Sequence, residues 1–125
     1  MTKHQLHTDD APAAVGPYSQ GISAGRLVFT SGQLPMKNGV LITDNVAEAA
    51  RASLENVSAI LKMGHATLSD VVKVTIFLKD MNDFSAMNAV YGEFFPKPYP
   101  ARSCFGVARL PLDAILEIEA VAYVQ

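Results

Sequence analysis

Residues 45–63 constrain the fold more than any other stretch of the chain. Val46, Ala50, Leu54, Val57 and Leu61 recur there at spacings of three and four, the repeat that stacks side chains on one face of an α-helix. Asn45 followed three residues later by Glu48 resembles a capping box, and Gly64 is a natural stop. Ala47, Ala49, Ala52 and Ser53 are small enough to let the helix lie close to a sheet. The period then changes. Across residues 71–79, Val72, Val74, Ile76 and Leu78 alternate with Lys73, Thr75 and Lys79, which predicts a strand with one apolar face.

The elements around this pair follow from the same rules. Residues 21–24 and 26–31 read as two short strands joined at Gly25, and residues 33–39 as a loop with Pro35 and an Asn38-Gly39 turn. A second amphipathic helix, capped by Asn82 or Asp83, carries Phe84, Met87, Val90 or Tyr91, and Phe94 as its stripe. Pro96, Pro98 and Pro100 end it. Residues 102–108 form a strand with Arg102, Cys104 and Gly106 on one face and Ser103, Phe105 and Val107 on the other. Residues 115–124 form the last, with Ile118, Ala120, Ala122 and Val124 opposed to Glu117, Glu119, Val121 and Tyr123. Strands, then helix, strand, helix and two strands predict an α+β layer, with both helices on one face of a mixed sheet. At 125 residues the chain is expected to be one domain spanning 1–125.

The helix-facing side of such a sheet is apolar and self-explanatory. The opposite side is assigned Thr75, Cys104, Val121 and Tyr123 together with Lys73, Arg102 and Glu117, too apolar a mixture for a solvated surface. Association of several copies around a shared centre is the economical expectation, with the charged groups in clefts between them.

Composition narrows the partners. The net charge of −2, with Lys and Arg scattered singly, gives no basic patch of the kind that binds nucleic acid. No apolar run approaches the roughly 20 residues needed to span a bilayer, and residues 1–10 are polar and unlike a secretory signal. A single cysteine excludes an internal disulfide. The expected compartment is the cytoplasm. No phosphate loop, dinucleotide fingerprint or metal-ligand spacing is present, so neither metal nor cofactor is expected.

Three residues stand out chemically. Arg102 opens a strand beside a proline loop, which suits a fixed guanidinium fork for a carboxylate; an inter-strand salt bridge to Glu117 or Glu119 fits the pattern equally. Glu117 interrupts an apolar strand, and either a desolvated proton shuttle or a solvated or paired carboxylate accounts for it. Cys104 could be a nucleophile only with a lowered pKa and a neighbouring base, and the ordinary reading is a buried, inert thiol. Tyr18 and Ser31-Gly32 lie in loop or strand-end segments that permit close approach of a ligand or serve as turns. Asn88 falls on the second helix with Ser85 and Gly92 on what reads as its polar side.

Taken together, Gly16-Pro17-Tyr18-Ser19-Gln20, Phe29-Thr30-Ser31-Gly32-Gln33, Pro100-Ala101-Arg102-Ser103-Cys104, Ala108-Arg109-Leu110-Pro111 and Glu117-Ile118-Glu119-Ala120 resemble the Rid (YjgF) family. The match extends to residues 72–84 and 88–95, and it points to the RidA branch in particular. The resemblance implies a chorismate-mutase-like fold assembled as a homotrimer, with a site in each cleft between subunits. It implies hydrolysis of 2-imino acids, released by pyridoxal-phosphate enzymes, to 2-keto acids and ammonia: a 2-iminobutanoate/2-iminopropanoate deaminase without a cofactor. Arg102 would bind the carboxylate, Glu117 would handle the proton of the attacking water, and the Cys104 main chain would hydrogen-bond the imine nitrogen or the water. Tyr18, Ser31, Gly32 and Asn88 would shape the pocket, partly from the neighbouring subunit. The loop at 96–100 is shorter and richer in proline than is usual in that branch, which bears on substrate range, and Phe105-Gly106 also departs from it. A metabolite-binding regulator without turnover is the alternative reading. RNA cleavage, attributed to some family members, is disfavoured by the negative charge.

Overall fold

The computed structural model describes residues 2–125. Its strands are β1 (Lys3–Leu6), β2 (Gly21–Ala24), β3 (Leu27–Thr30), β4 (Met36–Lys37), β5 (Val40–Leu41), β6 (Val71–Leu78), β7 (Ala101–Gly106) and β8 (Leu116–Tyr123), with helices α1 (Val46–Met63) and α2 (Phe84–Phe94). Six strands form one sheet in the order β1-β2-β3-β8-β6-β7, and β4 and β5 form a separate hairpin. Among the described residues only β6 and β7 pair in parallel, and α2 makes the crossover that a parallel pair requires. The α+β class, the two helices and the mixed sheet are as expected.

The helix α1 forms where its periodicity says it should. Asn45 Oδ1 accepts from the Glu48 N–H at 3.0 Å, satisfying one of the orphan donors of the first turn. Its buried side is broader than the expected stripe, because Ala49, Ala52, Ser53, Asn56 and Ile60 join Ala50, Leu54, Val57 and Leu61. The stop works differently from the usual glycine cap. His65, not Gly64, takes the left-handed conformation, with φ 64°. Gly64 is needed for space, since a Cβ there would lie 2.9 Å from a Val28 methyl.

One core joins both helices to the sheet through Leu54, Val57, Val74, Ile76, Met87 and Ile118. Burying each such aliphatic side chain is worth roughly 1.5–3 kcal/mol.

The structure corrects several local expectations. Val72 does not face the core: a register shift between Val71 and Lys73 marks a β-bulge. The bulge turns Val71 inward and leaves Val72 46% exposed. Asp83 stands at the N-cap of the second helix, as expected, but its side chain makes no capping hydrogen bond. A short 3-10 turn at Met81–Asp83 precedes the helix, and Asp80 caps that turn by accepting from the Asn82 N–H at 2.9 Å. The polar lead contains a strand, β1, which pairs with β2; a short edge strand with one buried residue, Leu6, has almost no periodicity to reveal it. The segment read as a loop at 33–39 contains β4, and Asn38 and Gly39 form the turn to β5 with φ 52° and 78°.

The largest correction concerns β7. Its alternation is as expected, but its faces are reversed. Arg102 pairs with Val74 and Cys104 with Ile76, and both partners point into the core. Arg102 and Cys104 therefore lie on the helix side of the sheet. Thr75, Val121, Tyr123, Lys73 and Glu117 do occupy the open face, where Leu27, Phe29 and Phe105 are also exposed. A charged residue is tolerated on the helix side because β7 is the outermost strand and the helix layer ends above it.

Candidate active site

Arg102 is held entirely by neutral groups. Its Nη1 donates to Asn88 Oδ1 at 2.6 Å. Its Cζ lies 4.6 Å from the centre of the Tyr91 ring and 5.5 Å from that of Phe84, both within cation–π range. Phe84, Asn88 and Tyr91 stand at i, i+4 and i+7 of α2, a single stripe aimed at the guanidinium. Among the described residues the ion-pair contacts are His7–Asp9, Arg51–Glu93 and Lys79–Asp113, and Arg102 takes part in none. The salt bridge to Glu117 or Glu119 is absent. The Glu117 carboxylate lies on the other face, beside Phe77 and Phe105 in the register of β8, β6 and β7.

Glu117 is partly buried against main chain. The segment at 31–33 runs alongside β8, where Gln33 and Ile118 exchange N–H···O bonds of 2.7 and 3.1 Å. This brings Gly32 onto the Glu117 side chain, so closely that a Cβ at position 32 would collide with the carboxylate. Burial raises the pKa of Glu117 above the usual carboxylate range, and the neighbouring Glu119 raises it further. A carboxyl group so placed holds its proton at higher pH, and its carboxylate takes up a proton more readily, than an exposed glutamate.

Ser31 and Tyr18 belong to the same end of the sheet. The Ser31 hydroxyl donates to Ser19 O at 2.6 Å and the Ser31 N–H to Gln20 O at 2.8 Å, which ties the Tyr18 loop to the end of β3. Gln20 completes the staple. Its side chain accepts from the Thr8 N–H at 2.8 Å and donates to the carbonyls of Thr8 and Pro12 at 3.0 and 2.8 Å. Tyr18 itself is half exposed. A cavity of about 600 Å³ lies beneath this loop and takes in Tyr18 and Gly32, but not Arg102, Cys104 or Glu117. Two of its polar walls, Gln20 and Asn56, are already hydrogen-bonded to main chain.

Cys104 packs against the core on the helix side of β7. Burial raises its thiol pKa, with the Arg102 guanidinium acting in the opposite sense. The net direction is away from a thiolate nucleophile. Among the described residues, no three His, Cys, Asp or Glu side chains are placed to share a metal ion.

The seven expected residues thus fall into two groups. Arg102, Asn88 and Cys104 share the helix-side edge of β7, whereas Glu117, Gly32, Ser31 and Tyr18 share the region around β8 and the end of β3. Phe84 and Tyr91 were expected only as part of the apolar stripe of α2, and Gln20 and Gln33 only as parts of motifs, with no role in the site. The spacing of Phe84, Asn88 and Tyr91 was the available signal.

Fold and site together define a small α+β protein that presents an uncompensated arginine on an edge strand and a partly buried glutamate on the opposite face of the sheet. The chain belongs to the Endoribonuclease L-PSP family, the Rid/YjgF family, whose model matches residues 8–124. It is 50% identical over 122 residues to the 2-iminobutanoate/2-iminopropanoate deaminase of Salmonella typhimurium, covering 94% of each chain. It is 47% identical over 123 residues to a RutC family protein of Pyrococcus horikoshii, covering 97% of this chain and 98% of that one. The solved structure of Escherichia coli TdcF with bound serine superposes with a TM-score of 0.93 at 46% identity, covering 98% of this chain and 99% of that one. Among the described residues, no helix is long and apolar enough to cross a membrane.

Proposed function

We propose that the protein hydrolyses small 2-imino acids, and their enamine tautomers, to 2-keto acids and ammonia. The observation that carries this reading is the Arg102 guanidinium, clamped by an amide and two aromatic rings and paired with no carboxylate of its own chain. A fixed, unneutralised guanidinium is a receptor for a planar carboxylate. The relatives named 2-iminobutanoate/2-iminopropanoate deaminase support the same substrate class.

The chemistry needs little beyond orientation and one proton carrier. Arg102 fixes the substrate carboxylate. Water adds to the carbon of the protonated imine as the Glu117 carboxylate takes its proton, giving a neutral tetrahedral aminoalcohol. Glu117 passes that proton to the nitrogen and then takes the hydroxyl proton as the carbonyl forms and the C–N bond breaks, so that ammonia and the keto acid leave. The raised pKa of Glu117 brings it closer to working pH, where proton exchange is most effective. The Cys104 main chain is the hydrogen-bonding partner of the imine nitrogen or the water, and its thiol takes no part.

Arg102 and Glu117 point to opposite faces within one chain, so the reading requires them to meet between copies. A homotrimer fits: the open face exposes Leu27, Phe29, Phe105 and Tyr123, and covering it would bring the Glu117, Gly32, Ser31 and Tyr18 group of one copy to the Arg102 edge of the next. A cytoplasmic setting accords with the reactive imines released there by pyridoxal-phosphate enzymes.

The test generates 2-iminobutanoate or 2-iminopropanoate in situ, traps unreacted imine with semicarbazide, and follows its loss with and without the protein. Acceleration is expected. Tight binding of keto acid without acceleration makes the protein a metabolite-binding regulator instead, and cleavage of RNA under the same conditions restores the family's nuclease name.

A further inference from the structure

We infer that Tyr91 and Phe84 are positioning residues, which fix the plane of the Arg102 guanidinium through their ring faces and thereby set the affinity for the substrate carboxylate. The inference rests on the reading of Arg102 as a carboxylate anchor and adds what holds that anchor in place.

An arginine side chain is long and free to rotate, so presenting two N–H groups in one plane costs conformational entropy unless something restrains it. Asn88 restrains one point, Nη1, at 2.6 Å. One contact leaves the plane free to swing about it. The two ring contacts, at 4.6 and 5.5 Å from Cζ, supply the missing restraint. An aromatic face attracts the guanidinium without neutralising it and without occupying an N–H donor. A carboxylate in the same position would hold the side chain more tightly and fill the site.

Tyr91 is itself well anchored. It is buried, and its ring lies 4.5 Å from that of Phe95. Its hydroxyl is buried with no hydrogen-bond partner, so no internal hydrogen bond explains this residue, and its face toward Arg102 does. Burial raises the pKa of its phenol, with Arg102 acting in the opposite sense, so the ring meets the guanidinium as a neutral group. Phe84 lies on the same face of α2 two turns earlier, at the helix start and only partly buried, where a leucine could pack without collapsing the core.

The experiment measures KM and kcat for in-situ 2-iminobutanoate, and calorimetric Kd for the product 2-oxobutanoate, in Phe84→Leu, Tyr91→Leu and Tyr91→Phe. Each is made alone and in an Arg102→Lys background. Phe84→Leu and Tyr91→Leu are expected to raise KM and Kd about 5-fold, the size of one cation–π contact, with kcat changing far less. Tyr91→Leu should lose several-fold more affinity than Tyr91→Phe, which keeps a ring face. In the Arg102→Lys background the leucine variants should cost almost nothing further, because an ammonium has no plane to fix. Equal losses in both backgrounds, or a loss in Tyr91→Phe matching that in Tyr91→Leu, overturn the inference. If Tyr91→Leu does not fold, Phe84→Leu decides the question alone. Wild-type affinity in Arg102→Ala would instead remove the anchor reading itself; loss in Arg102→Ala with wild-type affinity in Phe84→Leu and Tyr91→Leu removes only the clamp.

Discussion

Arg102 and Glu117 point to opposite faces of the same sheet: Arg102 lies beside Val74 on β6 and Glu117 beside Phe77, three residues further along the strand. The two groups to which imine hydrolysis is assigned are therefore separated by the sheet within one chain.

Asn88 should act on charge as well as position. Asn88→Ala removes a hydrogen bond to a charged group, worth about 1.5–3 kcal/mol, and is expected to raise KM roughly 10-fold or more. Asn88→Asp keeps the contact to Nη1 but neutralises Arg102. It should weaken keto-acid binding more than Asn88→Ala, as read by calorimetry. Tighter binding in Asn88→Asp would mean that geometry alone matters.

Glu117→Gln should separate turnover from binding and also change stability. With the folded-state pKa raised above the unfolded value, ionisation of Glu117 is harder in the folded protein. Its contribution to stability is present below the ordinary carboxylate range and is lost as pH rises through the raised pKa. Glu117→Gln is thus expected to be more stable than wild type near neutral pH, with the advantage vanishing in acid. Urea titrations at both pH values and one fixed protein concentration check this, and kcat should fall far more than Kd rises.

Glu119→Gln removes the second cause of the Glu117 shift. The acid limb of the kcat/KM profile should move to lower pH in this variant. An unmoved limb would show that the group titrating in the profile is not Glu117.

Gly32→Ala places a Cβ where the Glu117 carboxylate lies. The carboxylate must move, so turnover is expected to drop by more than 10-fold while the fold is kept, since a misplaced catalytic group costs about that much. A parallel measurement of circular dichroism and kcat distinguishes this from unfolding.

Tyr91→Phe removes a buried hydroxyl without a partner. Relief of an unsatisfied polar group is expected to stabilise the protein by about 1 kcal/mol. A lower unfolding midpoint would show that the hydroxyl has a partner in the assembled protein.

Much of the fold is legible in local sequence. The helix at Val46–Met63, its Asn45 cap, and the strands β2, β6 and β8 follow from periods of 3.6 and two residues, because each period reports which side chains a single element can bury. The candidate residues could be named from motifs in the same way. Their placement could not. Val72 was misassigned because a bulge depends on the pairing strand, and β1 was missed because one buried leucine has no period. Asn88 is exposed, as its polar side suggests, but its bond to Arg102 has no local signal because the partner lies 14 residues away on another element.

The sequence by itself determined which residues are apolar, where helices begin and strands alternate, and that Arg102, Cys104 and Gly106 share one face of their strand. Only the tertiary structure decided which face that is. Alternation is a property of one strand, whereas the face it presents is set by register against β6 and by the reach of the helix layer above. That non-local pairing is what gives Arg102 an amide and two rings for company and leaves Glu117 on the far side, against Gly32.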